Sequence, residues 1–213
     1  MGLTARKTGD GGNFEPISQG LHHAICYALY DLGTQYNEKF GKSIHKVLVG
    51  WEVPAERIEV ERDGKMVNLP RSISKRYTLS LHEKAILRKE LESWRGRSFT
   101  EEELAGFDMK KLLGANCMVQ IIHAKKDDKT YANVASVVSL PKGMEKKTPE
   151  NPFQYFSFED SQSIPEGTPD WIVDIIKASD EWQELNQGNT RSAQDDPGHS
   201  GDEPPPWSEE VPF

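Results

Sequence analysis

Lysines and arginines recur beside aromatic rings at three places in this 213-residue chain. Arg71, Lys75 and Arg76 cluster around Tyr77. Arg95 and Arg97 flank the loop after Trp94, and Lys125, Lys126 and Lys129 crown a polar turn beside Tyr131. Cations interleaved with rings suit an unpaired polyanion: charges follow the phosphates while ring faces stack bases without reading them. The ten candidate contacts are therefore Arg71, Lys75, Arg76, Tyr77, Arg95, Arg97, Lys125, Lys126, Lys129 and Tyr131. Trp51 and Trp94 are assigned to the core instead, because Trp94 lies on an apolar helix stripe; Tyr77 and Tyr131 suit either role. Tyr27 and Tyr30, three apart on a strand, should face opposite sides, so at most one of them borders a groove.

No set with catalytic spacing is present. His22 and His23 are adjacent on a strand, so they point apart and cannot chelate one metal together. Glu101, Glu102 and Glu103 open a helix, where carboxylates suit the positive end of the dipole. There is no glycine-rich phosphate loop, no GxSxG and no HExxH. The expectation is a protein without enzymatic activity, metal or cofactor. Cys26 and Cys117 lack CxxC spacing and read as two buried thiols in a reducing compartment. No apolar run approaches the ~20 residues of a membrane span, and the first residues lack the hydrophobic stretch of a secretory signal. A cytoplasmic protein without membrane contact is expected.

Charge is unevenly spread. Residues 1–147 carry 24 Lys and Arg against 19 Asp and Glu, whereas residues 148–213 carry 2 against 15. An overall charge of −8 thus hides a basic body and an acidic C-terminal part. A basic body suits a polyanionic ligand, and an acidic terminal segment suits an interaction tail.

Periodicity assigns these residues to strands, helices and turns. LHHAICYALYDL (21–32), rich in β-formers and aromatics, reads as a strand. SIHKVLVGWEV (43–53) alternates, with Val47, Val49 and Trp51 on one face and Lys46, Leu48 and Glu52 on the other. Asp63-Gly64 lies between two extended runs and signals a hairpin, and ISKRYTLSL (73–81) is a further strand. From His82, the apolar residues Leu87, Leu91 and Trp94 form one face of a helix ending at Gly96. Thr100 and Glu103 make a capping box for a second, short helix. Asp108 opens one more turn, through Leu113, before Gly114. ANCMVQIIH (115–123) and TYANVASVVSL (130–140) are the last two strands.

This order predicts a mainly β fold with a helical insert: an OB-fold, the five-stranded Greek-key barrel that binds single strands and oligosaccharides. The domain spans 1–145. Residues 146–185 hold a linker, the aromatic strap FQYFSFED and a helix starting at Thr168-Pro169-Asp170 and reaching Leu185. The helix stripe of Trp171, Ile172, Ile175 and Ile176 must be buried on the barrel or against another copy of the chain, which would make a homo-oligomer through 169–185. Residues 186–213 read as a disordered acidic tail.

The tail ends in DEPPPWSEEVPF, its terminal carboxylate directly after a ring. A terminal Phe can enter an apolar pocket whose basic rim meets the carboxylate, with the upstream acids steering the encounter. Trp207, Glu209, Glu210, Val211, Pro212 and Phe213 are the candidate partner-binding residues. The ending resembles the C-terminal tail of bacterial single-stranded DNA-binding proteins, which recruits replication and repair enzymes. In the body, YALYDLGTQ (27–35), VGWEVP (49–54), YTLSLHEKAILRKELESWRGRSFTEEELAGFD (77–108) and YANVASVVSLPKG (131–143) resemble a phage-encoded family of single-stranded DNA-binding proteins. The resemblance implies an OB-fold that coats single-stranded DNA in phage replication or recombination within a bacterial host, and that recruits host or phage replication and repair proteins through its tail. It supplies no assigned DNA contacts. The large helical insert and the 169–185 helix depart from the bacterial proteins, which leaves their tetramer open. The alternative is a recombination mediator whose body binds protein and whose tail recruits an annealing or nuclease partner.

Overall fold

The central strand β1 (Gly20–Asn37) is long enough to serve two neighbours in succession. Its first half pairs antiparallel with β4 (Asn116–Lys126), from Gly20↔Ile121 to Ile25↔Asn116. Its second half pairs antiparallel with β2 (Lys42–Arg62), from Ile25↔Glu52 to Asn37↔Lys42. β2 pairs antiparallel with β3 (Lys65–Thr78), from Lys46↔Thr78 to Arg62↔Lys65, and β4 pairs antiparallel with β5 (Lys129–Ser139). The resulting order is β3-β2-β1-β4-β5. This computed structural model describes residues 15–38, 41–62, 64–127, 129–161 and 163–189.

A mainly antiparallel sheet is therefore present, but not the closed barrel expected from the sequence. β3 and β5 are the ends of the hydrogen-bonded path. They approach one another, and helix α1 (Ile86–Arg95) packs on both. Its Leu87, Leu91 and Trp94 enter one core with Ile73 and Tyr77 of β3 and Val134 and Val137 of β5. Apolar contact through α1 joins the two edges where a further ladder would have closed the sheet.

The local rules behind these elements are visible. Gly96 ends α1 in the left-handed region, at φ 68°. Thr100 and Glu103 form the reciprocal capping box of α2 (Glu101–Ala105). The Asp108 side chain caps a 3₁₀ turn at Met109–Leu112. α1 starts at Ile86 rather than His82, because the Ser80 hydroxyl and His82 ring accept backbone N–H bonds from His82 and Lys84 in a non-helical turn.

Two bulges overturn the strand parity. Tyr27 and Leu32 are extra residues in the β1–β2 ladder, at the register shifts Cys26/Ala28 and Asp31/Gly33. An extra residue in one strand turns every later side chain of that strand to the opposite face. Tyr27 and Tyr30 consequently both face the second apolar cluster instead of opposite sides.

That second cluster covers the outer face of β1 and β2. β6 (Gln154–Phe156) pairs in parallel with β1 at Ala28–Tyr30, on the edge that β4 leaves free beyond Ile25. α3 (Asp170–Lys177) then buries Ile172 and Ile176 against Ala28, Tyr30, Leu32 and Leu48. The apolar stripe is thus spent on the chain's own sheet, while Trp171 stays 41% exposed. The single helix expected to Leu185 is two: Ser179 is fully buried, donates its hydroxyl to the Ile176 carbonyl and accepts from the Trp182 N–H. A serine that satisfies backbone groups in this way interrupts one helix and starts the next. α4 (Asp180–Asn189) runs past the expected start of the tail at 186. The rest of the expected tail, including Trp207, Glu209, Glu210, Val211, Pro212 and Phe213, lies outside the described residues.

The cover is latched at two points. Glu52, fully buried, accepts from the Glu150 N–H at 3.0 Å, the Asn151 N–H at 2.8 Å and the Asn151 side-chain amide at 2.7 Å. Glu181 accepts from the Thr34 N–H and hydroxyl, both at 2.6 Å. Gly33, at φ +66°, makes room for the second latch: a Cβ there would lie 2.6 Å from the Glu181 carboxylate and from Ser179 Cβ.

Candidate nucleic-acid interface

Strand alternation divides the first predicted cluster. Lys75 and Tyr77 stand opposite Val49 and Val47, on the core side of the sheet, whereas Arg76 stands opposite Leu48 on the outer side. Arg71, opposite Val53, shares the side of Lys75. The structure therefore does not build one basic triad around Tyr77. Tyr77 itself is 5% exposed and donates its hydroxyl to Glu90 of α1, so its ring has no face open to a base. Burial first, and the Glu90 carboxylate second, push the phenol far above its ordinary pKa. Lys75 reaches the same carboxylate at 2.5 Å.

Lys75 and Arg76 nevertheless border one cleft of about 370 Å³ at the start of α1, with His82 and Lys84. Exposed Leu79 and Ile86 lie beside it in sequence. A second cleft, of about 490 Å³, opens at the other end of α1 and includes Arg95 and Arg97. Ten helical residues rise roughly 15 Å, which separates the two.

Arg95 and Arg97 are not free cations. Both bind the Glu103 carboxylate, Arg97 through two contacts at 2.7 and 3.0 Å. The Arg95 guanidinium also stacks on Phe99 and Phe107, 4.3 and 5.1 Å from the ring centres. Arg97, then Arg95 and the Thr100 amide, hold the Glu103 carboxyl far below the usual carboxylate range. The pattern signal for this triangle was the capping box itself, which fixed where Glu103 would be.

The third cluster is the one that the sequence located whole. Lys125, Lys126 and Lys129 are exposed at the β4–β5 turn, Lys126 opposite Lys129. None of the three has an ion-pair partner among the described residues. Tyr131, opposite Ala124, is 48% exposed, so a ring face is available there. Antiparallel order puts this turn and the β2–β3 turn at the end of the sheet where β1 begins, away from α1.

The remaining candidates have structural roles. Trp51 and Trp94 are buried, with ring centres 5.9 Å apart. Cys26 and Cys117 are free and buried, and burial raises both thiols well above their ordinary pKa. His22 and His23 go to different partners, the Ser18 carbonyl and the Asn116 side chain. Among the described residues no three His, Cys, Asp or Glu side chains converge to hold a metal ion. None of the described helices is long and apolar enough to cross a membrane. Lys84, Lys111 and Lys146, which line the two clefts, were not singled out by pattern, because no Phe, Trp or Tyr stands within three positions of any of them. No protein-family model and no curated protein matches the chain.

Proposed function

We propose that this protein binds single-stranded DNA without strong sequence preference, in phage DNA replication or recombination. The strand order β3-β2-β1-β4-β5, with a helix between β3 and β4, supports reading the sheet as an OB-fold left partly open. The observation that carries the function is the β4–β5 turn: three exposed lysines with no ion-pair partner among the described residues, beside a half-exposed tyrosine, on the loop that OB-folds use against oligonucleotides. Arg71, Arg76 and the cleft at the start of α1 extend the basic surface. The cover formed by 150–189 occupies the outer face of β1 and β2, which leaves β3 and the β4–β5 hairpin for the strand. The terminal Pro212-Phe213 recruits replication or repair proteins.

The test is a titration of the full chain with oligothymidine and with duplex of equal length over a range of salt. Single strand should bind far more tightly, with log affinity falling by ~0.7 per contacted phosphate per decade of salt. Equal affinity for duplex, or no salt dependence, overturns the reading. If a tail-less chain binds no DNA yet still captures protein partners, the mediator reading replaces it.

A further inference from the structure

The cleft at the C-terminal end of α1 differs from the other basic surfaces in how it is built. Its cations come from four separate segments: Arg95 from α1, Arg97 from the loop beyond it, Lys111 from the 3₁₀ turn and Lys146 from the linker after β5. One carboxylate, Glu103, stands against them, so the lining carries a surplus of three positive charges. That carboxylate is already filled by both arginines and by the Thr100 amide. Lys111 and Lys146 are exposed and meet no acid among the described residues.

Lys146 is held near the cleft from two sides. Its neighbour Lys147 donates its N–H to the Asn116 side-chain oxygen at 2.8 Å, and the Lys147 carbonyl accepts from the Asn116 amide at 2.9 Å. His23 fixes the same Asn116 oxygen at 2.7 Å. The deep side is closed by core residues: Trp94 and Leu112 are 7% and 4% exposed. Phe107 adds an aromatic wall, already carrying the Arg95 guanidinium. The volume of about 490 Å³ falls within the ~300–1,000 Å³ of small-molecule sites.

We propose that this cleft seats a phosphomonoester, the dianionic phosphate of a nucleotide, supplied by the end of a single strand. An internal phosphodiester carries one charge and must bring chain in on both sides, whereas a terminal phosphate carries about −1.5 to −2 and brings chain in on one. A surplus of three charges over a floor that ends on the core matches the second. Lys111 and Lys146 supply the free point charges, while Arg95 and Arg97, both held on the single Glu103 carboxylate, leave the wall behind them with a net positive charge. The DNA-binding reading supplies the source of the phosphate, while the chemistry of the cleft stands apart from it.

The experiment compares, at fixed salt, a short oligothymidine with a 5′-phosphate, with a 3′-phosphate and with hydroxyl ends, alongside free thymidine monophosphate. One of the phosphorylated strands should bind about tenfold more tightly than the hydroxyl-ended strand. Lys111→Glu with Lys146→Glu, checked for a native melting curve, should reduce its affinity to that of the hydroxyl-ended strand. Saturable binding of the free nucleotide that this double variant abolishes supports the same chemistry with a free source. If that occurs while hydroxyl-ended DNA fails to bind, the DNA-binding reading falls and the phosphate site stands. Equal affinity for all three strands without nucleotide binding overturns the proposal, as does a phosphate increment that survives the double variant.

Discussion

Replacing Lys125, Lys126 and Lys129 together by Gln removes charge from the hairpin and leaves its backbone ladder intact. All three side chains are exposed and outside the core, and Lys126↔Lys129 closes the β4–β5 ladder through main-chain atoms. Each lysine neutralises at most one phosphate, and each phosphate contact on a single strand contributes a salt slope of ~0.7. The triple variant should therefore flatten the slope by about 2. Asp127 in the same turn tempers the local field, which makes this the upper value. With affinities converging near 1 M salt, that change corresponds to a loss of roughly 10- to 100-fold at 0.1 M. The assay is a fluorescence titration of oligothymidine between about 0.05 and 0.5 M salt, a range over which electrostatic binding changes steeply. Arg57→Gln is the matched control: its guanidinium is bound to Glu150 at 2.5 and 3.1 Å and to Asn68, so it has no charge to give a phosphate. An unchanged slope in the folded triple variant, or an equal flattening from Arg57→Gln, would refute the assignment of the strand to this hairpin.

Tyr131→Ala should cost ~1–3 kcal/mol of single-strand binding with the salt slope unmoved, because stacking releases no counterions. Tyr77→Phe should leave DNA affinity intact and lower the melting temperature, since it strips the Glu90 carboxylate of a buried donor. Glu52→Ala strands the three donors of Glu150 and Asn151 and should destabilise by about 3 kcal/mol, roughly 10 °C in melting temperature, with faster proteolysis within 141–153. Burial raises the Glu181 carboxyl, but the Thr34 hydroxyl and amide outweigh it, and the folded pKa is lowered. The stability of this latch is accordingly complete above the ordinary carboxylate pKa and lost as pH falls through the folded value. Thr34→Val should lower the melting temperature at pH 7, by an amount that shrinks as the pH falls below the ordinary carboxylate pKa. Phe213→Ala keeps every acid of the tail, so a pull-down from bacterial lysate should lose partners while the DNA titration is unmoved; retention of the same partners would reduce the tail to a solubilising charge.

Short-range features are written into the chain. The stripe Leu87, Leu91, Trp94, the stop at Gly96, the Thr100–Glu103 box and the Asp108 cap each involve residues within about two helical turns, so neighbours in sequence suffice to set them. The Lys125–Lys129 turn was legible for the same reason: a tight hairpin holds its charges together whatever surrounds it. Packing settled everything that depends on which surface meets which. Parity along β1 failed at Tyr27 and Leu32, because a bulge shows itself only in the partner strand's register. Leu48 and Glu52 read as an outer face and are buried, because residues 150–176, a hundred positions later, return to cover them. Arg71, Lys75 and Arg76, close together in sequence, are divided by the sheet, whereas Lys111 and Lys146, 35 positions apart, border one cleft. Charge is a property of composition, but an electrostatic site is a property of distance, and distance between segments is fixed only when their apolar faces have packed.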